Sequence, residues 1–439
     1  MKNTKNKSVL FFFLLLLSAI FIRVWGIFYA TSGDLTNHIS WGKAGFEQGF
    51  YLLYDFSFSR IGISNLNYPP LTVYMFTGLY TLFIFWKWFM WQLNLAIGIF
   101  PSFLLPLLQS DYILTILLKL PAICADIGLG VVLWFFGKRI FRTDTNYMLV
   151  MLALLWLAPT FWYISSMWAQ LDSIPLFFLL LSWYFLFQKK STVSIIFITC
   201  AILTKQTAII FVPFYFLYLH QKEGILESVK QFLLFIFLVW ISFIPFVNIV
   251  HFPFDPFRLY IQKMVFAPSS EFATSYAFNF WSLVVSIRQT LDGVPFIGTI
   301  SIRYFGFIVT VLLVAIVHLG LFLTRKFKNG YLFWLAQLLI AMTVFMFLTR
   351  LHERHLLPVV LFAIVTGLAN SKMRVVAFFL SLLQFSSLVY VWDVFNFHTE
   401  QFIDPLIGMK ILVTVFILLY VAILIYYLRQ IFSQKAKST

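Results

Sequence analysis

A lone carboxylate leaves a bilayer-length apolar run, followed at helical spacing by an imidazole and an indole. The stretch Gly33-Asp34-Leu35-Thr36-Asn37-His38-Ile39-Ser40-Trp41 puts His38 and Trp41 at i+4 and i+7 from Asp34. A helix starting there presents base, imidazole and indole on one face. Further on, Asn67-Tyr68-Pro69-Pro70 fixes two φ angles and forces an extended entry into the next apolar run. A helix N-cap is the ordinary use of such an Asp. The company of His38, Trp41 and Tyr68, at the mouth of a membrane helix, argues instead for a chemical role.

A second cluster is Arg350-Leu351-His352-Glu353-Arg354-His355. Its imidazoles do not have the H-E-x-x-H zinc spacing. Two arginines and two imidazoles make a better cradle for phosphate than for a cation. The expectation is therefore a phosphate contact formed by Arg350, His352, Arg354 and His355; since the chain has no D-x-D pair, no divalent ion or other cofactor is expected to be required. Lys205 stands near the outer end of a span, where snorkelling is the ordinary explanation, and joins this set as a further phosphate contact. Lys119 and Asp126 stand at i, i+7, too far apart for a direct pair, so Asp126 inside the bilayer demands some other partner. The turn Trp168-Ala169-Gln170-Leu171-Asp172 and the segment Tyr276-Ala277-Phe278-Asn279-Phe280-Trp281 set indoles beside amides or a carboxylate, a combination that suits a sugar. An aromatic-belt turn and packing against the bundle are the alternatives.

The elements that must position these groups are membrane helices. The chain is 62% hydrophobic and 11% charged, with mean hydropathy +0.92, far from any ordinary soluble domain. Long uninterrupted apolar runs exclude an outer-membrane barrel, whose strands alternate with period two. The expected fold is an all-α polytopic helical bundle of about fourteen spans, each needing about 20 residues, in one membrane domain, 1–439, without a separate soluble domain. The net charge of +15 comes from short basic clusters between apolar runs. These are orientation signals of the positive-inside kind, not a contiguous nucleic-acid face. Setting the clusters inside puts both termini in the cytoplasm. It leaves a first external loop (30–74), a turn at 166–172, a long loop (251–302) and the 350–355 turn on the opposite face. The stretch 71–108 reads as two crossings turning at Trp86-Lys87-Trp88, and 192–220 as two short segments broken at Lys205. The first apolar run reads as a retained helix. Cys124 and Cys200 sit inside apolar runs and read as small buried hydrophobes.

Taken together, Gly33-Asp34 with His38 and Trp41, then Tyr68-Pro69-Pro70-Leu71-Thr72-x-Tyr74, resemble the opening of the eukaryotic glucosyltransferases that extend the lipid-linked N-glycan precursor from dolichyl-phosphate-glucose. Trp168-x-Gln170-x-Asp172, Lys205-Gln206, Asn279-Phe280-Trp281 and His352-Glu353-Arg354 are similar to later motifs of that family, in the same order, so the resemblance runs from about residue 30 to 360. It implies the GT-C membrane fold, a polyprenyl-phosphate sugar as donor, and inverting transfer with Asp34 as general base and His352 and Arg354 near the donor phosphate. His38, Trp41, Tyr68, Trp168, Gln170, Asp172, Asn279 and Trp281 would meet the sugar or acceptor. Asn67 stands where those enzymes usually have Asp, and Ala169 where Gly is common. The Lys- and Phe-rich composition looks prokaryotic, so the expected setting is a prokaryotic cytoplasmic membrane with the site on its external face, and the expected acceptor is a lipid-linked or other extracytoplasmic hydroxyl.

The residues support that chemistry on their own terms. A polyprenyl phosphate is a good leaving group, so transfer needs one carboxylate to deprotonate the attacking hydroxyl and cations to hold the phosphate, whereas glycosidases need two carboxylates. No G-x-G-x-x-G or P-loop is present for a soluble nucleotide sugar. The rival readings are a transporter or flippase of lipid-linked sugars, using Lys119, Asp126 and Lys205 as a path at depth, and a polymerase or ligase of lipid-linked polysaccharide.

Overall fold

A computed structural model describes residues 2–29, 32–250, 252–265, 270–393 and 405–432. The chain is an all-α membrane protein: eight of its helices are long and apolar enough to cross a bilayer. Numbering the helices of ten residues or more gives α1 (Lys2–Ile27), α2 (Gly33–Gln48), α3 (Pro70–Ala96), α4 (Asp111–Phe135), α5 (Thr145–Trp156), α6 (Ser173–Phe187) and α7 (Ser191–Thr204). They continue with α8 (Val212–Glu223), α9 (Ile225–Ser242), α10 (Ile302–Thr324), α11 (Gly330–Phe347), α12 (Leu357–Ala369), α13 (Ser371–Val391) and α14 (Pro405–Phe432). A two-stranded antiparallel hairpin, Pro295–Ile297 with Ile300–Ser301, is the sheet among the described residues.

Burial sorts these helices. The apolar window of α11 is 78% buried, whereas those of α1, α9, α10 and α14 are only 22–28% buried. Helix α11, with the almost wholly buried α12, thus lies at the centre of the bundle, and the other four turn most of their apolar surface outward, as lipid-facing helices do. The centre is packed by aromatic rings: Trp183, Phe333 and Trp334 are fully buried, with the Trp183 and Phe333 centroids 4.9 Å apart and edge-to-face, an arrangement favoured by ring quadrupoles.

The expected pair of crossings at 71–108 is corrected to one helix, α3, of 27 residues. Its first turns are tied to the far ends of α7 and α9, through Thr72 Oγ1 donating to the Thr204 carbonyl (2.6 Å) and the Tyr74 hydroxyl to the Ser242 carbonyl (2.8 Å). Its later turns accept from Gln109 and donate to Leu108, just before α4. All of those ends lie on the face where α1 delivers Asp34, so α3 lies across that face. Trp86, Lys87 and Trp88 belong to this helix and not to an inside turn. The physical reason is tight packing on α2: a Cβ on Gly42 would meet the Phe76 carbonyl oxygen at 2.7 Å, and one on Gly45 the Thr77 hydroxyl at 2.2 Å. The break at Lys205 falls where expected, between α7 and a 3-10 turn at Gln206–Phe211 that leads into α8.

Candidate active site

Asp34 lies in the first turn of α2, where Ser32, not Asp34, occupies the N-cap position. The carboxylate is therefore free of the capping duty open to it in the sequence. It accepts from the side-chain amide of Gln170, and its Oδ2 lies 3.9 Å from Nη2 of Arg354. His38 and Trp41 follow on the same helix face, with ring centroids 5.8 Å apart. The indole donates to the Ser64 carbonyl (2.9 Å) and Asn37 accepts from the Ser64 amide (3.0 Å), so the 57–67 loop is pinned to α2 from both sides. Tyr68 stands edge-on to His38 at 5.8 Å, the Lys205 ammonium lies 5.9 Å from its ring centroid, and the Pro69–Pro70 pair turns the chain into α3.

These residues line a cavity of about 770 Å³ that also takes in Lys205, Arg350, His352, Arg354 and His355. Groups some 320 positions apart in the chain thus meet on one face. Their charges are mostly committed. Lys205 pairs with Asp172 at 2.6 Å, both buried. Arg350 is held in a two-pronged pair by Asp292, at 2.6 and 3.1 Å, with Thr349 donating to the same carboxylate. Arg354 is the exception. Burial works against its charge, but Asp34, Glu353 and Asp172 outweigh burial and raise its pKa above the ordinary value. Its Nε is buried without a hydrogen-bond partner, and its guanidinium sits 5.8 Å from the Trp168 ring centroid. A charged fork with an unused donor, over an aromatic face and beside a carboxylate, is suited to an incoming phosphate.

Burial works against a charge on each of the three imidazoles. Burial, assisted by Arg354 and Lys205, drives His352 and His355 well below the ordinary range. Burial also lowers His38 to about 4, although Asp34 pulls the other way. Within the expected cradle, Arg354 is the cation held charged by its neighbours, and His352 and His355 line the cavity beside it. The His352 amide donates to Nδ1 of His355 at 2.9 Å, which fixes the turn.

The other sugar-site candidates divide. Gln170 and Asp172 are buried and act from behind the cavity wall, on Asp34 and Lys205. Trp168 is buried against Trp392 (5.0 Å) and serves Arg354 as a platform instead of offering a stacking face to a sugar. Asn279 and Trp281 do not line the cavity: both are fully buried and donate to the carbonyls of Phe345 and Phe347 at the end of α11 (3.1 and 2.7 Å). They anchor the segment whose Ser275 amide donates to the Leu351 carbonyl, and so hold the 350–355 turn. Sequence reasoning missed Asp292, whose only signal was an isolated acid in the long external loop. It also missed Asn37, Asn65 and Gln262, which with Asn67 give the cavity an amide-rich rim.

Neither protein-family models nor curated proteins match this chain. The site is therefore interpreted from its own geometry.

Two local features give tests of their own. Ala169 has φ +63°, a left-handed conformation that costs a non-glycine residue about 1 kcal/mol. Ala169→Gly is expected to raise stability by up to about 1 kcal/mol, read as a higher Tm in detergent. Glu353 is buried, its carboxylate 3.5 Å from Arg354 without a hydrogen bond, and burial lifts its pKa to about 7. An unfolded Glu titrates near about 4.3, so the folded chain keeps this proton across the window between. The resulting stabilisation is whole below the lower value and is lost as the pH rises through the upper one. Glu353→Gln is expected to flatten the fall of Tm across that window; parallel curves for parent and variant would show that Glu353 titrates as an ordinary surface acid.

Proposed function

We propose that this chain is an inverting glycosyltransferase of GT-C architecture, moving a hexose from a polyprenyl-phosphate sugar to the hydroxyl of a lipid-linked acceptor. The setting is the external face of a prokaryotic cytoplasmic membrane. With α3 lying across the outer face, the remaining helices other than α2 form about twelve alternating crossings, with the basic clusters at Lys138, Lys189, Lys222, Arg325 and Lys372 on the inner side. The observation that carries the reading is the approach of Asp34, 38% exposed, to Arg354, 12% exposed, at 3.9 Å within one cavity.

The chemistry follows from those two groups. The acceptor hydroxyl loses its proton to Asp34 as its oxygen bonds to the anomeric carbon. The bond from that carbon to the phosphate oxygen breaks, and its electron pair leaves on the phosphate, where Arg354 meets the added charge. Attack from the side opposite the phosphate inverts the centre. Arg354 is the least committed cation of the site, and Lys205 and Arg350 each have a carboxylate partner. That balance suits a single phosphodiester better than a pyrophosphate.

The transporter reading required Lys119, Asp126 and Lys205 to share a path. Lys119 instead donates to the Ile27 and Tyr29 carbonyls at the end of α1, Asp126 pairs with Arg23, and Lys205 with Asp172. Purified protein in liposomes, given a radiolabelled polyprenyl-phosphate hexose and a lipid-linked oligosaccharide, should yield a labelled product of inverted linkage. Counterflow of intact donor without any new linkage would reject the reading.

A further inference from the structure

The partner that Asp126 demands is Arg23, a residue unmarked by any motif. Both side chains are completely buried, and Nε of Arg23 meets Oδ2 of Asp126 at 3.1 Å. The same guanidinium donates to the Ala19 carbonyl in α1 (3.1 Å) and to the Trp156 carbonyl at the end of α5 (2.9 Å). The carboxylate accepts from Ser165 (2.5 Å) on one oxygen and from Ser173 on the other. Those two serines bracket the segment that carries Trp168, Gln170 and Asp172.

The same segment meets α1 and its exit at other points. A Cβ on Gly26 would lie 2.9 Å from the Ser166 hydroxyl oxygen. Ser32, just before α2, donates to the Trp168 carbonyl at 2.8 Å. Gln170 then reaches Asp34. These ties run between the 165–173 segment and α1, the start of α2, or α4. The segment itself has little regular structure to hold it: a π-helical turn at Tyr163–Met167 and a left-handed residue at Ala169. An ion pair stripped of water is directional and stiff when its remaining valences are filled. Here both carboxylate oxygens are engaged, one from each end of the segment, while Nη2 of Arg23 is buried without a hydrogen-bond partner.

We infer that Arg23 and Asp126 are positioning residues, holding the 165–173 segment in register with α1 so that Gln170 orients Asp34 and Asp172 holds Lys205. The effect on turnover rests on the proposed transferase reaction; the docking itself does not. Neither residue touches the cavity, so they act through Ser165, Ser173 and Gln170.

Ser166, fully buried, supplies a reporter. In a Cys124→Ala/Cys200→Ala background, Ser166→Cys is labelled with a membrane-impermeant maleimide in proteoliposomes. Arg23→Met/Asp126→Asn removes both charges, strands neither, and leaves an amide to meet the two serines. Labelling is expected to rise about tenfold or more in that variant and to stay near the parent rate in Arg23→Lys, which keeps the pair. On the transferase, the neutral pair should lower kcat about 10–100-fold with donor KM within about twofold, since small misplacements of a catalytic group carry costs of that size. Gln170→Ala should then cost much less in that background than alone, because both changes break one chain of contacts. If the neutral pair does not fold, Gly26→Ala replaces it: it presses on Ser166 without touching the ion pair and should lower kcat in the same way. Unchanged labelling, or strictly additive effects with Gln170→Ala, overturns the inference. A protein that transfers no sugar from any donor overturns the transferase reading and leaves the labelling comparison to decide the docking.

Discussion

Replacing Asp34 by Asn should lower kcat for sugar transfer by about 10³-fold while leaving the KM for the donor unchanged or somewhat lower. The size is that of a lost general base, and the direction of KM comes from geometry. Asn keeps the shape of the side chain and an oxygen to accept from Gln170, so the wall of the cavity stays in place. It also removes the carboxylate that faces Arg354 at 3.9 Å, and a guanidinium without that competitor holds a phosphate at least as well. A loss confined to kcat marks an interaction made in the transition state and not in the ground state. The measurement is steady-state transfer from a labelled polyprenyl-phosphate hexose in proteoliposomes, with donor binding followed separately by equilibrium dialysis. Transfer within a few-fold of the parent would remove Asp34 from the mechanism.

Arg354→Ala should be the second large effect, with kcat/KM down about 10²–10³-fold, the usual cost of deleting a charge-stabilising donor from a dry site. Arg354→Lys should recover only part of it, because an ammonium lacks the planar fork that meets two phosphate oxygens and stacks on an indole. The contrast that gives this prediction its edge is Arg350→Ala. Arg350 also lines the cavity, yet Asp292 holds it at 2.6 Å with only 4% of the acid's side chain exposed. Removing it strands a buried carboxylate, so the expected cost is about 3 kcal/mol of stability and a much smaller change in turnover per folded molecule. Equal catalytic losses for the two arginines would mean that the charge sorting proposed here is wrong. Thermal melts beside initial rates separate the two outcomes.

How far each of these residues was legible differs for physical reasons. Asp34, His38 and Trp41 stood out because helical spacing is a local property, and α2 does begin where that spacing required. The Arg354 cluster was visible as composition, but the surroundings that set its basicity were not: burial comes from packing, and Lys205 approaches from the break after α7, although Arg354 is local. Asn279 and Trp281 looked like sugar ligands because amide and indole suit a sugar. In the folded chain they spend those donors on the carbonyls at the end of α11, as unpaired carbonyls at any buried helix end require. Helix α3 misled for a related reason. An apolar run long enough to cross a bilayer is also long enough to lie on one, and the choice is made by the partners at its ends.

What the amino-acid sequence determined by itself is the class of molecule, an all-α membrane protein, because apolar length is written in consecutive residues. It also marked the polar segments in which Asp34 and Arg354 are found. What only the tertiary structure decided is which charges are spent. Lys205 goes to Asp172, Arg350 to Asp292, and Arg23, 103 positions away, to Asp126. Each of those pairings joins segments that meet only when the helices pack, and in a medium of low dielectric the pairing governs what every ionisable group can do.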